Sequence, residues 1–225
     1  MRGLIREVRS GFLLVGVGHV IPESEREVRE IIRRERPEVV CVELCPERYW
    51  ALVEGGTSGG LPLLLHLMLI FQQRLARSTG SPAGREMIAA VEEAERIGAS
   101  VLFIDRGLSE TVRRLAGIPL RERLLMAVQL LIGAVLPVRG RELEGLTEEG
   151  EVERILREFR RWFPAAYRVL VEERNLIMAE RLPPLLVAGR RVVCVVGAAH
   201  VGGLFEILKS RLGQAWFSVT ISTVP

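Results

Sequence analysis

Short runs of apolar, largely β-branched residues recur along the chain, and stretches with helical periodicity separate them. The apolar runs predict strands over residues 11–17, 38–44, 100–104 and 191–196. A further strand is predicted over 216–222, where apolar and polar residues alternate. Buried strands that alternate with helices are typical of a parallel sheet. The pattern therefore predicts an α/β protein with a mainly parallel central sheet flanked by helices.

The segments between the strands place apolar residues three and four positions apart, which predicts helices. The predicted helices cover about 22–36, 46–53, 61–77, 84–97 and most of 108–182. Residues 54–60 contain four glycines and predict a flexible loop. We expect one domain over residues 1–225, in which about 108–182 form a helical insertion that a charged turn at 138–147 divides.

The same short motif follows two of the predicted strands, and it carries two of the three histidines in the chain. The first copy ends Gly16-Val17-Gly18-His19, and the second ends Gly197-Ala198-Ala199-His200. In open α/β sheets, ligands bind at the carboxyl ends of the strands. If these two strands are parallel neighbours, His19 and His200 face one cleft.

Glu43 ends the predicted strand 38–44 and belongs to the same sheet edge. Two imidazoles and a carboxylate can hold a divalent metal and activate a bound water. The same groups also work without metal, because a histidine can take a proton from water while a carboxylate orients it. A purely structural role, in which the histidines bond backbone carbonyls at the strand ends, is the third interpretation.

Further polar residues are predicted near this edge. Arg48 follows Glu43 by five residues, and the helix that Pro46 opens would let it fold back over the sheet edge, where a guanidinium can clamp a substrate carboxylate or stabilise an oxyanion. Asp105 and Arg106 follow the strand 100–104 and are candidate substrate-binding residues. The polar group 173–175 interrupts an otherwise apolar helix face, and Arg174 is the substrate-binding candidate within it.

The composition of the chain indicates which binding partners are unfavoured and in which cellular compartment the protein resides. The net charge is +3, aromatic residues make 5%, and basic runs interleaved with aromatics are absent, so nucleic acid is not favoured as a partner. The three cysteines fit neither a disulfide framework nor a zinc motif, which indicates a reducing compartment. The charged N-terminus lacks the apolar core of a signal peptide. We therefore predict a cytoplasmic protein.

Five segments together resemble the TraB/PrgY family, the pheromone-shutdown group: GVGHV, RPEVVCVELCPERY, FIDRGLSETVRR, EERNLIMAERL and VVGAAHVGG. The wider superfamily includes the Tiki proteases, the erythromycin esterases and the ChaN-like proteins. The resemblance implies an α/β fold with a cleft formed by the two histidines, the glutamate and the arginine of the motifs. These map to His19, His200, Glu43 and Arg48.

The resemblance also implies several activities. Tiki-like members resemble metal-dependent peptidases, the esterases resemble metal-free hydrolases that use histidine and glutamate, and ChaN-like members bind haem. TraB and PrgY are tied to reducing the activity of a secreted peptide signal. Our leading hypothesis is a hydrolase of peptide or amide bonds with a Mn, Co or Zn ion held by His19, Glu43 and His200. The alternatives are a metal-free esterase-like hydrolase, a non-catalytic peptide-binding protein and a haem or iron-binding protein.

The family further implies how such a domain is attached. Many microbial proteins of this type resemble a soluble domain followed by several membrane helices. In this chain, the longest apolar stretches, 61–71 and 124–138, are shorter than the roughly 18 to 20 residues that a membrane span needs. We expect a cytoplasmic domain, which in a longer protein would be the cytoplasmic part of a membrane-anchored chain. The sequence does not decide whether the protein forms a homo-oligomer.

Overall fold

The computed structural model describes residues 4–18, 22–54, 84–135 and 149–221. Its sheet has five strands: β1 Leu4–Arg9, β2 Phe12–Val17, β3 Val39–Val42, β4 Ser100–Phe103 and β5 Val192–Gly197. The strand order is β1-β2-β5-β3-β4. The pairs β2–β5, β5–β3 and β3–β4 are parallel, and β1 is antiparallel to β2. The predicted mainly parallel α/β architecture is confirmed.

Ten α-helices lie within the described residues, and a π-helical turn, Arg168–Glu172, joins the seventh to the eighth. They are α1 Pro22–Glu35, α2 Pro46–Glu54, α3 Arg85–Ile97, α4 Leu108–Ala116, α5 Leu120–Val135, α6 Glu149–Trp162, α7 Pro164–Tyr167, α8 Glu173–Arg181, α9 Pro183–Val187 and α10 Ala198–Ile221. The predicted helix 61–77, the turn 138–147 and all but the first residue of the loop 54–60 lie outside the described residues.

Both faces of the central strands β3 and β5 are buried, which explains why these strands are apolar throughout. On one face, Cys41 and Cys194 pack in a core with Met178 of α8 and Leu204 of α10. On the other face, alternate strand residues pack against α1 and α3, including Ile32 and Met87 among the buried side chains. The parallel strands therefore lie between two helical layers, and their carboxyl ends meet at one edge.

The first strand, β1, was not predicted, because its sequence LIREVR carries three charged residues in six. It forms a hairpin with β2 through Ser10 and Gly11, and Gly11 takes a positive φ of 76°. Only one face of this edge strand packs on the core, since Val8 is fully buried while Ile5 is 37% exposed. The half-polar pattern follows from that one-sided burial.

The strand predicted over 216–222 is wrong, because residues up to Ile221 belong to α10. That helix begins directly after β5, and each residue added to an existing helix gains a hydrogen bond. The local alternation did not outweigh this continuation. As a result, His200 lies in the first turn of a helix. Within the described residues, no helix is long and apolar enough to cross a membrane.

Candidate functional site at the carboxyl edge of the sheet

Glu43 is anchored where β3 ends beside β5. Its backbone N–H donates to Val195 O at 3.0 Å, which extends the strand pairing by one residue. Its side chain, 3% exposed, accepts a hydrogen bond of 2.6 Å at Oε2 from the backbone N–H of Gly197. That N–H lies at the start of α10, where the helix dipole favours a negative charge. The carboxylate is therefore fixed at the sheet edge by the neighbouring strand.

Arg174 of α8 joins two carboxylates that come from different strands. Its Nη2 donates to Glu43 Oε1. Its Nε and Nη2 also donate to Oδ1 and Oδ2 of Asp105 at 2.9 and 2.8 Å, a bidentate pair. Burial by itself lowers the pKa of the Arg174 guanidinium, but the charges of Glu43 and Asp105 outweigh it and raise the pKa above its ordinary value. Arg174 is thus a permanent buried cation between two anions.

His200 has a partner at each ring nitrogen and is only 4% exposed. Its Nε2 lies 3.1 Å from Arg174 Nη1 and 3.4 Å from Glu43 Oε1. Its Nδ1 lies 2.7 Å from Oδ1 of Asn175, the residue that follows Arg174. An amide oxygen only accepts, so the Nδ1 carries the proton and Nε2 accepts from the arginine; this tautomer is assigned from the partners.

Arg48 completes the cluster from the first turn of α2. Its Nη1 donates to Asp105 Oδ2 at 3.1 Å, and its side chain is 39% exposed. Among the charged groups of this cluster it is the most accessible to a ligand, since the side chains of Arg174 and Asp105 are 13% and 3% exposed.

Arg106 does not join this cluster, in contrast to the expectation that it binds substrate next to Asp105. Its side chain is 1% exposed and points into the helical layer. Its three guanidinium nitrogens donate to Thr111 Oγ1, Glu173 Oε2 and the backbone oxygen of Val169, at 3.1, 2.8 and 2.9 Å. Arg106 therefore fixes the π turn and the start of α8, which carry Arg174 and Asn175.

The π turn itself precedes the two residues that hold His200. Its carbonyl groups at Val169 and Leu170 accept from Arg106 and from Arg174 Nη1, the latter at 3.4 Å. Single π turns inside helices are frequent at functional sites, because they displace the following side chains. Here only Glu173 separates the turn from Arg174 and Asn175.

His19 lies outside the described residues, which stop at Gly18 and resume at Pro22. The topology bears on its position: β2 and β5 are parallel neighbours, and Val17 is paired with Gly197. The two histidine motifs thus follow paired strand ends. The proximity of His19 to Glu43 and His200 stays a prediction, whereas Glu43 and His200 are in contact.

The fit of a divalent metal can be tested on the contacts present. Carboxylate oxygens and an imidazole are suitable metal ligands. Yet the described residues contain no group of three or more histidine, cysteine, aspartate or glutamate side chains able to hold one. Arg174 already bonds Glu43, Asp105 and His200. A metal here would face that guanidinium, so as arranged the described residues do not fit the ion.

Two features of the site were not identified from sequence. The backbone N–H of Gly197 binds Glu43, and Gly203 packs so closely on Asn175 that a Cβ there would lie 2.2 Å from its Nδ2. The glycine pair after His200 was the available signal, but nothing in the sequence connects it to Asn175.

Comparison with known proteins shows related sequences over most of the chain. A profile of the TraB/PrgY/gumN family matches residues 5–211. An uncharacterised protein of Methanocaldococcus jannaschii is 30% identical over 211 residues, which cover 87% of this chain and 53% of that protein. TraB domain-containing proteins of Bos taurus and Homo sapiens are 26% and 25% identical, and each match covers 89% of this chain and 63% of the relative. The chain thus spans about half to five-eighths of these relatives.

Proposed function

This chain belongs to the TraB/PrgY/gumN family, and we propose that it is a hydrolase of peptide, amide or ester bonds that acts without a bound metal. The observation that carries the proposal is the state of His200. Its Nε2 accepts a hydrogen bond and lies within 3.4 Å of the Glu43 carboxylate. With its proton on Nδ1, the imidazole keeps a lone pair at Nε2, which is the form that a general base needs once water replaces Arg174 there.

The residues can divide the reaction as follows. His200 Nε2 takes a proton from water as the water oxygen adds to the substrate carbonyl carbon. Glu43 stabilises the imidazolium that forms, and Arg48 stabilises the negative carbonyl oxygen. The carbon–nitrogen or carbon–oxygen bond then breaks, and the leaving group takes the proton from His200. Water must replace Arg174 Nη1 at Nε2 for this step, so Arg174 moves or shares that contact.

The substrate class follows from the family resemblance and from Arg48. We propose a peptide or a small amide or ester, and inactivation of a signalling peptide is the specific case. A partly exposed guanidinium suits a substrate that carries a carboxylate near the scissile bond. A cytoplasmic location is part of the same proposal.

A metal-dependent hydrolase is the second candidate, and the pairing of β2 with β5 favours it. Because Val17 is paired with Gly197, His19 and His200 both follow the same edge of the sheet. A Mn, Co or Zn ion held by His19, Glu43 and His200 would supply an activated water. With the ion bound, Arg174 would have to release Glu43. The guanidinium would then need another hydrogen-bond acceptor in place of that carboxylate.

Hydrolysis of a peptide and ester library separates these proposals. We expect turnover that survives EDTA, falls by about 10²- to 10⁴-fold in His200→Ala and by about 10²-fold or more in Arg48→Met. Arg154→Met removes an exposed arginine of α6 and serves as the control, with unchanged turnover.

Other outcomes identify the alternatives. Turnover that EDTA abolishes and Mn²⁺ restores would replace the metal-free mechanism with the metal-dependent one. Peptide binding that His200→Ala weakens, without turnover in any variant, would indicate a sequestering protein. A Soret band on adding haemin, lost in His19→Ala, would indicate haem binding.

A further inference from the structure

We propose that Asn175 is a positioning residue that holds His200 in the tautomer with the proton on Nδ1, and that Gly203 is required for this contact. The contact joins Asn175 Oδ1 to His200 Nδ1 at 2.7 Å. Asn175 is 5% exposed and His200 is 4% exposed, so water has little access to replace the amide oxygen. The catalytic consequence rests on the proposed function, whereas the tautomer itself does not.

The two nitrogens of the ring are held by consecutive residues of one helix. Asn175 accepts from Nδ1, and Arg174 Nη1 lies 3.1 Å from Nε2. Arginine keeps its protons in proteins, so it can only donate to Nε2. The opposite tautomer would set N–H against N–H at Nε2 and a lone pair against the amide oxygen at Nδ1. Both contacts therefore favour the same tautomer, and the contact with Asn175 is the shorter of the two.

Gly203 provides the space in which Asn175 lies. It follows His200 by three residues in α10, on the same side of the helix. An added Cβ would lie 2.2 Å from Asn175 Nδ2 and 3.2 Å from its Cγ, closer than real contacts allow. Asn175 would have to move away from His200. By contrast, a Cβ at Gly202 meets no atom within 4 Å among the described residues. The adjacent glycines thus form a matched pair for testing.

The contact between Asn175 and His200 decides which ring nitrogen is basic. It leaves Nε2, the nitrogen that lies beside Glu43 Oε1 and Arg174, as the basic nitrogen of the ring. It also fixes the rotation of the imidazole plane. Without Asn175, Arg174 alone favours this tautomer, so the fraction of neutral rings with a proton on Nε2 rises, and that fraction cannot act as the base.

Nitrogen NMR of histidine-labelled protein measures this directly, because the chain has only three histidines. His200→Ala assigns the His200 signals. In the wild type at pH 8 we expect a protonated-type shift at Nδ1 and an unprotonated-type shift at Nε2. Asn175→Ala and Gly203→Ala should give averaged shifts that indicate mixed tautomers, and Gly202→Ala should match the wild type. If Gly203→Ala does not fold, Asn175→Ala alone decides.

A wild-type spectrum with the proton on Nε2 would overturn the proposal, as would unchanged shifts in a folded Asn175→Ala. The measurement needs no substrate, so it stands even if the protein hydrolyses nothing. If it is a hydrolase, we expect Asn175→Ala to lower kcat by about 10- to 100-fold through lost orientation, with KM changed by less than about threefold.

Discussion

Arg174→Met tests whether the buried arginine is the cation on which the site depends. Methionine keeps much of the side-chain volume and removes the charge and five donors. Asp105 then loses two hydrogen bonds, of 2.9 and 2.8 Å, and Glu43 loses the hydrogen bond that Arg174 donates to Oε1. Both carboxylates have side chains only 3% exposed, so water compensates them poorly.

The expected loss can be estimated from these contacts. Removing one partner of a buried ion pair costs about 3 to 5 kcal/mol, because it strands the other charge. Arg48 still binds Asp105 and the Gly197 N–H still binds Glu43, so we expect the lower end, about 3 kcal/mol. At roughly 2 to 4 °C per kcal/mol for a domain of this size, Tm should fall by roughly 6 to 12 °C.

Urea and thermal unfolding of three variants check this reasoning. Arg154→Met removes an arginine that is 53% exposed, and its free energy of unfolding should change by less than about 0.5 kcal/mol. Adding Asp105→Asn to Arg174→Met removes one stranded charge, and we expect it to recover about 1 kcal/mol. Equal losses for Arg174→Met and Arg154→Met would refute the assignment of Arg174 as the buried counter-ion.

Three further predictions concern regions outside the site. Hydrogen bonds from Arg33 are the main cause that lowers the pKa of Glu93 from 4.5 to about 2, so ionised Glu93 should stabilise the fold above pH 4.5 and lose this effect as the pH falls towards 2. Glu93→Gln should lack this acid-dependent loss when the free energy of unfolding is measured against pH. Parallel pH curves for the wild type and Glu93→Gln would contradict the prediction. Gly16→Ala should lower the free energy of unfolding by about 1 to 3 kcal/mol in denaturant, because the added Cβ would lie 2.8 Å from Val201 Cγ2. Gly202→Ala should instead stabilise α10 by about 0.5 to 1 kcal/mol, because its Cβ meets no described atom within 4 Å. Equal effects of the two substitutions would refute this reasoning. The three cysteines are free and buried, so the native protein should react with a thiol reagent only as fast as it unfolds; rapid labelling of the native protein would show an open path to a thiol.

The sheet could be predicted from sequence where both of its faces are covered. The strands β3 and β5 are apolar throughout, and the crossover α1 between β2 and β3 follows the length rule for parallel strands. The strand β1 could not be identified in this way, because one of its faces is polar. The end of α10 was assigned wrongly, because the alternation over 216–222 favours a strand locally, whereas the helix that begins after β5 continues through Ile221.

The site was predictable to the extent that it depends on strand ends. Glu43 and His200 meet because β3 and β5 are parallel neighbours with Val42 opposite Val195. The direction of each side chain beyond the strands was not predictable. Asp105 and Arg106 are adjacent in sequence, yet one enters the cluster and the other the helical layer. The packing of α4, the π turn and α8 around the sheet edge decides these directions.

The strand order has a consequence for how the chain folds. The strand that comes last within the described residues, β5, lies in the middle of the sheet and joins the pair β1–β2 to the pair β3–β4. Phe12 of β2 pairs with Val192 of β5, partners that are far apart in sequence, so this closure is slow. During synthesis, the edges of β2 and β3 stay unpaired until β5 leaves the ribosome, and such edges promote aggregation. Docking of β5 then closes the sheet and brings His200 to Glu43 in the same step, so a nascent chain without β5 both exposes strand edges and lacks the contact between these two residues.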